Sequence, residues 1–345
     1  MPDTLPGLTF DKNGVCNHCR DYKPIKYHGE DKLNTILEDQ KKKGKKYDCM
    51  VMISGGRDSS YIILKLVRDY GMKVLAINYE NPFTDPQAKK NIQNIVDILK
   101  VDLLTFKLKN NLHEKTFKNN FSAWTKKPSP ALIPMICISC KTMLYEITKA
   151  AKKYDIDCIV SGGNPIEFTS FKTDLLNVKD NTNIDKKFIY SLYGIVKESS
   201  KNLDYYRPVC LSTMFMGYLF GDPFTLGSRL YGHNIKRVEY FHYVPWDENT
   251  VLSRIRSELN WECPKHLHST WRFDCMIGHV KDYMYLKTIS ASEKDDFYSK
   301  MIREGRMTRE DALKRLENEN IVYYDDLNKV MKIAGMENTN IIEKI

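Results

Sequence analysis

Apolar residues in this chain first gather in one short run. Asp48-Cys49-Met50-Val51-Met52-Ile53 has the length and composition of a buried strand, and it stops at Ser54-Gly55-Gly56. Beyond the glycines, Ile62, Ile63, Leu66 and Val67 recur at helical spacing between Ser59 and Tyr70, and Gly71 is placed to end that helix. A second apolar run at Val74 to Ile77, a helical segment from Pro86 to Leu99 and a third run at Leu103 to Phe106 continue the alternation. A further helix over Leu144 to Tyr154 feeds a strand at Cys158-Ile159-Val160, which again stops at a glycine pair, Ser161-Gly162-Gly163. This rhythm predicts a doubly wound α/β fold, a parallel sheet with helices on both faces and ligands at the carboxyl ends of its strands.

The flanks read differently. The first thirty residues hold Cys16 and Cys19 among turn formers without a hydrophobic period, which predicts a small knuckle over 1–30. A polar helix is expected from Asp31 to Lys43. After Phe168 the pattern loosens into aromatics, a polar stretch from Lys179 to Lys187 and apolar runs over Leu211 to Leu226, and it predicts no topology there. Charged helical sequence returns at Ser292, with Thr308 as an N-cap and Glu310 and Asp311 in the first turn of a helix to about Glu317. The division expected is therefore a knuckle (1–30), a nucleotide-type α/β domain (31–240) and a mainly helical C-terminal region (241–345).

Composition narrows the class. Hydrophobic residues at 42% and charged residues at 28% exclude a disordered, fibrous or disulfide-scaffold protein. The opening MPDTLPGLTFDKNG lacks the basic and apolar regions of a signal peptide, and no unbroken apolar run reaches the ~18 residues of a membrane span, so a cytoplasmic protein is expected. The net charge of +9 would suit an anionic substrate. Clusters such as Lys41-Lys42-Lys43 and Lys45-Lys46 read as solvated helix ends, so nucleic acid is not the expected partner. Nine cysteines in such a chain point to free thiols, metal ligation or redox chemistry.

The segment SGGRDSS, Ser54 to Ser60, lies between a buried strand and a helix, which is anion-binding geometry: glycines let backbone N–H groups approach phosphate at a helix N-terminus. Neither a G-x-x-x-x-G-K-[ST] loop nor G-x-G-x-x-G is present. The segment resembles the SGGxDS signature of the PP-loop superfamily, HUP-like enzymes that split ATP between its α and β phosphates to adenylate a substrate oxygen. The resemblance implies ATP and Mg2+ as cofactors. It makes Ser54, Gly55, Gly56, Ser59 and Ser60 pyrophosphate contacts and Asp58 the catalytic, magnesium-associated carboxylate. It also sets Met52, Ile53, Asn78 and Tyr79 beside adenine.

Three stretches resemble the N-acetyl sugar amidotransferases, which turn an acetamido group of a bacterial surface sugar into an acetamidino group. They are MPDTLPGLTFDKNGVCNHC, SGGNPIEF (Ser161 to Phe168), which resembles the family's G-x-N-P-x-x-E run after the strand, and ELNW with the later MTREDAL. The resemblance implies that Gly162, Gly163 and Asn164 form the second nucleotide-side motif. It further implies an acceptor sugar, with ammonia supplied by a separate glutaminase, since no glutaminase motif is visible. A homodimer is compatible with it. STWRFDC, Ser269 to Cys275, departs from that family's tail, and a four-cysteine zinc site is not expected from Cys16 and Cys19 alone.

Cys137 and Cys140 precede the helix that leads to the second glycine strand, near the expected catalytic face. PP-loop enzymes that thiolate transfer RNA have a similar CxxC joined by a third cysteine, for which Cys210 and Cys275 are the candidates here. Three readings stay open: an iron–sulfur or persulfide site with a sulfur-donor partner, a zinc staple, or plain half-buried thiols. His266, His268 and His279 lack a catalytic zinc spacing and receive no role. Arg207, Arg272 and Lys265 read equally as phosphate grips and as stacked structural residues. The expected function is therefore ATP-dependent adenylation followed by amidation, with sulfur transfer as the alternative; a regulatory module that binds ATP without turnover is the reading from another class.

Overall fold

The computed structural model describes residues 1–178, 184–222 and 225–336. Five parallel strands form one sheet in the order β3-β2-β1-β4-β5: β1 (Cys49–Met52), β2 (Val74–Tyr79), β3 (Asp102–Phe106), β4 (Cys158–Ser161) and β5 (Lys236–Glu239). The central strands are buried on both sides, which is why they read as continuous apolar runs. The chain leaves β1 toward β2 and later returns to β1's other side with β4. This reversal opens a crevice between the carboxyl ends of β1 and β4, the place where such sheets bind ligands.

The helices match the hydrophobic spacing closely. Pro86–Leu99 has the predicted bounds, with Asp85 accepting from the Gln87 N–H at 2.7 Å and Pro86 in the first turn. The helix expected from Ser59 is α-helical over Arg57–Leu64 and continues as a π-helical turn over Lys65–Asp69. The Leu144 helix (Met143–Lys153) extends N-terminally into a 3-10 stretch, Pro130–Thr142, which sequence reading left unassigned. Together Pro130–Lys153 is long and apolar enough to cross a membrane by length and composition, with half of its apolar window buried in the fold. Ser, Cys, Thr and Lys residues interrupt its apolar residues, so a search for unbroken runs does not flag it.

The loosened region after Phe168 holds helices at Phe171–Leu175, Ile184–Ser199, Pro208–Phe220 and Leu226–Tyr231, then β5. Part of the polar stretch Lys179 to Lys187 lies outside the described residues. β5 escaped notice because it is a four-residue edge strand, KRVE, with Val238 alone fully buried. The helix capped by Thr308 runs over Arg309–Glu319, and Thr308 accepts from the Asp311 N–H at 3.1 Å. C-terminal residues Trp246, Val251, Ile255, Trp261, Trp271 and Phe297 share one buried cluster with Val51, Ile62 and Val160 of the sheet side.

The loop after β1 is held from outside. Trp261 Nε1 and Asn91 Nδ2 both donate to the Gly55 carbonyl, at 2.9 and 3.1 Å. Gly55 has φ +79°, and a Cβ there would lie 2.1 Å from the Ala88 carbonyl oxygen. Gly55→Ala should thus combine left-handed strain with a backbone clash and destabilise the protein by at least about 2 kcal/mol. Chemical unfolding measures this, and an unchanged midpoint would show that the loop backbone is not confined as described.

Candidate functional site

The crevice at the switch point has a volume of about 600 Å3, within the usual range for small-molecule sites. Its floor is the loop after β1. The Ser54 N–H donates to Ser59 Oγ at 3.2 Å, the two hydroxyls are 3.2 Å apart, and Gly56 N–H reaches Ser54 Oγ at 3.4 Å. The first turn of Arg57–Leu64 leaves its amides without helical acceptors, so the loop and helix start together make an anion cradle.

Among the expected site residues, Ile53, Ser54, Gly56, Asp58, Ser59, Asn78, Gly162, Gly163, Cys140 and Cys275 line the crevice. Gly55, Ser60, Asn164, Cys137 and Cys210 are not in its lining. Four of these have a visible occupation. Gly55 holds the turn; buried Ser60 donates to the Gly56 carbonyl at 2.7 Å. Asn164 caps a short turn by accepting from the Ile166 N–H at 3.1 Å. Buried Cys210 donates to Asn120 Oδ1 at 3.1 Å in the neighbouring helical layer. Asn78 lines the crevice but spends its side-chain amide on the Ile53 carbonyl, 2.8 Å away, stapling the ends of β1 and β2.

Arg57, the variable position of the SGGxDS signature, turns out to organise the site. Its guanidinium is 3% exposed and pairs with Asp58 (3.1 Å), Glu167 (3.3 Å) and Glu248 (2.8 Å). It also lies over the Trp246 ring, 4.6 Å from the centroid. Asp58 accepts from Trp246 Nε1 at 3.0 Å. Burial, set against the nearby Arg57 charge and reinforced by Glu167, lifts the Asp58 carboxyl to about 6. Asp274 is a second, half-buried acid at the cradle: desolvation raises its carboxyl, which interacts with Ser54, and a Cβ on Gly56 would meet it at 3.2 Å. Both carboxylates line the crevice, and a hard divalent cation takes oxygen ligands, so Asp58 and Asp274 are the residues that could hold Mg2+.

Asp274 and Cys275 reach the crevice because their segment pairs with the loop after β2. Asp85 N–H donates to the Asp274 carbonyl at 3.1 Å and Met276 N–H to that of Phe83 at 2.9 Å. Asn81 Nδ2 is 3.2 Å from Cys275 Sγ. Cys137 and Cys140 sit in the 3-10 stretch, where residues three apart eclipse one another about 6 Å apart along the axis, so the CxxC spacing stacks them in one column. Cys140 Sγ is 3.7 Å from His113 Nε2, whose other nitrogen is 2.9 Å from the Tyr79 hydroxyl. Burial raises all three thiols, Cys275 to about 12, and negative charge on Cys137 or Cys275 further opposes ionisation of Cys140. Among the described residues no group of three or more His, Cys, Asp or Glu side chains is arranged to hold a metal ion. Cys140 and Cys275 line the crevice, and Cys137 lies one 3-10 turn before Cys140, outside its lining.

Sequence reading missed Arg57, Asp274, Glu239 and His113. Glu167 stood inside the quoted SGGNPIEF segment, and Asp274 inside the stretch that departs from the amidotransferase tail, so two signals existed without an assignment. His266 and His279 pair with buried Asp326, at 3.0 and 3.6 Å, and are not in the crevice lining. Arg272 does line it.

Two outcomes follow for Asp58. A carboxyl raised in the folded state takes up its proton as pH falls through about 6 while the unfolded chain does not, so this residue favours folding toward pH 5. Cation binding needs the carboxylate, so magnesium-dependent ATP affinity should drop about tenfold per pH unit below that value. Asp58→Asn should keep the fold and remove both the pH limb and pyrophosphate release; turnover at the wild-type rate would overturn the assignment.

Residues 44–203, somewhat under half of the chain, match the family model described as thiamine biosynthesis protein (ThiI). A stretch of 100 residues is 26% identical to the uncharacterized protein MJ1599 of Methanocaldococcus jannaschii, covering 28% of this chain and 36% of that relative. The chain thus spans about a third of that relative's length. Two solved structures are similar at low sequence identity. NMN synthetase from Francisella tularensis has a TM-score of 0.29 and 12% identity, over 64% of this chain and 96% of that one. The U34-tRNA thiolase NcsA from Methanococcus maripaludis, solved with its [4Fe-4S] cluster, has a TM-score of 0.34 and 13% identity, over 83% and 86%. At such scores the overlays are loose, and neither protein's ligand is carried over. Strand order, cradle and the matched residues together give this chain a ThiI-like PP-loop fold, the ATP pyrophosphatase-like architecture of the adenine nucleotide alpha hydrolases.

Proposed function

We propose that this chain is an ATP-dependent adenylating enzyme that places sulfur on its acceptor. The observation that carries the reading is that Cys140 and Cys275, far apart in sequence, line the same crevice as the pyrophosphate loop. The ThiI match supports the same choice. Amidation, expected from the three amidotransferase-like stretches, shares every step up to the adenylate; the thiols at the crevice favour sulfur over ammonia as the attacking atom.

Ser54, Gly56, Ser59 and the first-turn amides of Arg57–Leu64 grip the departing pyrophosphate, and Mg2+, when bound, neutralises charge on the phosphates. The acceptor oxygen takes the adenylyl group, which converts a poor leaving group into AMP. A cysteine that has received sulfane sulfur from a donor protein attacks the activated carbon through its terminal sulfur and expels AMP. The neighbouring thiol then attacks the cysteine sulfur of the mixed disulfide, releasing the thiolated product and closing a Cys140–Cys275 disulfide. An external thiol reductant reopens it. Burial keeps both thiols protonated until a base or a nearby cation assists; Lys141 and Lys281 favour the Cys140 thiolate.

Incubation of the full chain with a 35S-persulfide donor tests this directly. Label should appear on the chain in a form released by reductant, and Cys140→Ser with Cys275→Ser should abolish it while leaving Mg·ATP binding within about twofold. Labelling that survives replacement of both, or adenylate consumption by ammonia alone, would sink sulfur transfer. Iron and acid-labile sulfide measured on anaerobically purified protein, before and after replacing Cys137, decide whether the thiols act through a cluster.

A further inference from the structure

The second glycine loop, unlike the first, is already filled by a carboxylate. Glu239 is the last residue of β5 and lies in register with Ser161 of β4. Its Oε2 accepts from Ser161 Oγ at 2.7 Å and from the Gly163 N–H at 2.8 Å. A Cβ on Gly163 would come within 2.1 Å of that oxygen, so the glycine is what lets Glu239 occupy this position. Two strand ends therefore fix the carboxylate in orientation. A loop that holds a fixed negative charge in its amide cradle repels phosphate, so the two glycine loops cannot share one anionic role.

What the carboxylate offers instead is acceptor capacity, since an ionised carboxylate has no donor. Oε1 has no protein donor among the described residues and belongs to a side chain that lines the crevice. The lining of the crevice includes Ser54 to Ser59 of the cradle without Gly55, and the apolar residues Met52, Ile77, Met143, Ile147 and Ile159. Ser161, Gly163 and Glu239 line the same cavity as the cradle and the apolar residues, and a nucleotide held there by its phosphates and base offers its ribose hydroxyls as donors. An acidic residue accepting from ribose hydroxyls is the solution dinucleotide-binding sheets reach at their own switch point.

We propose that Glu239 reads the ribose of the bound nucleotide, accepting a hydrogen bond from its 2′- or 3′-hydroxyl, so that the site selects ribonucleotides over deoxyribonucleotides. This rests on the nucleotide-binding reading above. It extends that reading to a specificity residue on the strand that sequence reading missed.

Calorimetric titration of the full chain with Mg·ATP, Mg·2′-deoxy-ATP and Mg·3′-deoxy-ATP, without acceptor, tests it. The wild type should bind ATP about ten- to a hundredfold more tightly than one of the deoxy forms, as for a hydrogen bond to a charged group. Glu239→Gln and Glu239→Ala should shrink that ratio to about twofold by weakening ATP while leaving the deoxy form nearly unchanged, which also reports that the variants are folded. A ratio that persists in both variants, or a wild type that binds all three nucleotides equally, overturns the role of Glu239 while leaving ATP binding intact. A wild type that binds none of them overturns the nucleotide reading itself, and this inference with it.

Discussion

The structure turns on the buried guanidinium of Arg57. It begins the helix after the pyrophosphate loop, yet its partners come from the loop after β4 (Glu167), from the helix Glu248–Leu259 (Glu248) and from its own neighbour Asp58. Taking such a cation out of water costs several kcal/mol unless every donor is met, and here carboxylates and the Trp246 face meet it. Glu248 is in turn held by Arg315 at 2.7 Å, so the network continues into the C-terminal helices. One side chain thereby fixes the cradle, the second glycine loop and the C-terminal region in a single arrangement.

That arrangement explains why the C-terminal region contributes to the site and is not an appendage. Trp261 and Asn91 hold the Gly55 carbonyl, Trp271 donates to Glu167 at 2.7 Å, and the segment that pairs with Phe83–Asp85 delivers Asp274 and Cys275. Arg272, between them, has φ +51°, a conformation that costs a non-glycine residue energy and persists where surrounding contacts impose it. Its bonds to Glu167 and Glu293, the latter at 2.5 Å, supply those contacts.

What the sequence made legible was whatever depended on local pattern. Parallel strands buried on both faces announce themselves as apolar runs, and the glycine loops follow them directly, so β1 to β4 and the place of the Ser54–Ser60 loop at the strand end were readable. β5 was not, because an edge strand of four residues with charged ends carries almost no apolar signal, and Glu239 went with it. Asp274 and Arg57 needed tertiary information: nothing local says that residues 274–276 will pair with the loop after β2, or that a signature's variable position will be the most heavily paired cation in the site. The cysteine pair shows both sides. Its spacing was visible, but its 3-10 setting and the choice of Cys275 over Cys210 as its neighbour came only from packing.

The charge of the crevice shows how this site handles a polyanion. Its lining includes Arg57, Lys141, Arg237 and Arg272 against Asp58, Glu167, Asp222, Glu239 and Asp274, so the side chains alone do not make it attractive to a triphosphate. Arg57 is moreover committed to carboxylates and has little left for phosphate. Attraction must therefore come from the backbone: loop amides and the aligned dipoles of the following helix, which act at short range on one part of the ligand. Acids raised by burial then become an asset, because a cation that enters with the nucleotide relieves their desolvation while neutralising the phosphates. Such a site would gain more from a metal–nucleotide complex than from the free nucleotide, with Asp58 and Asp274 the residues that would hold the cation.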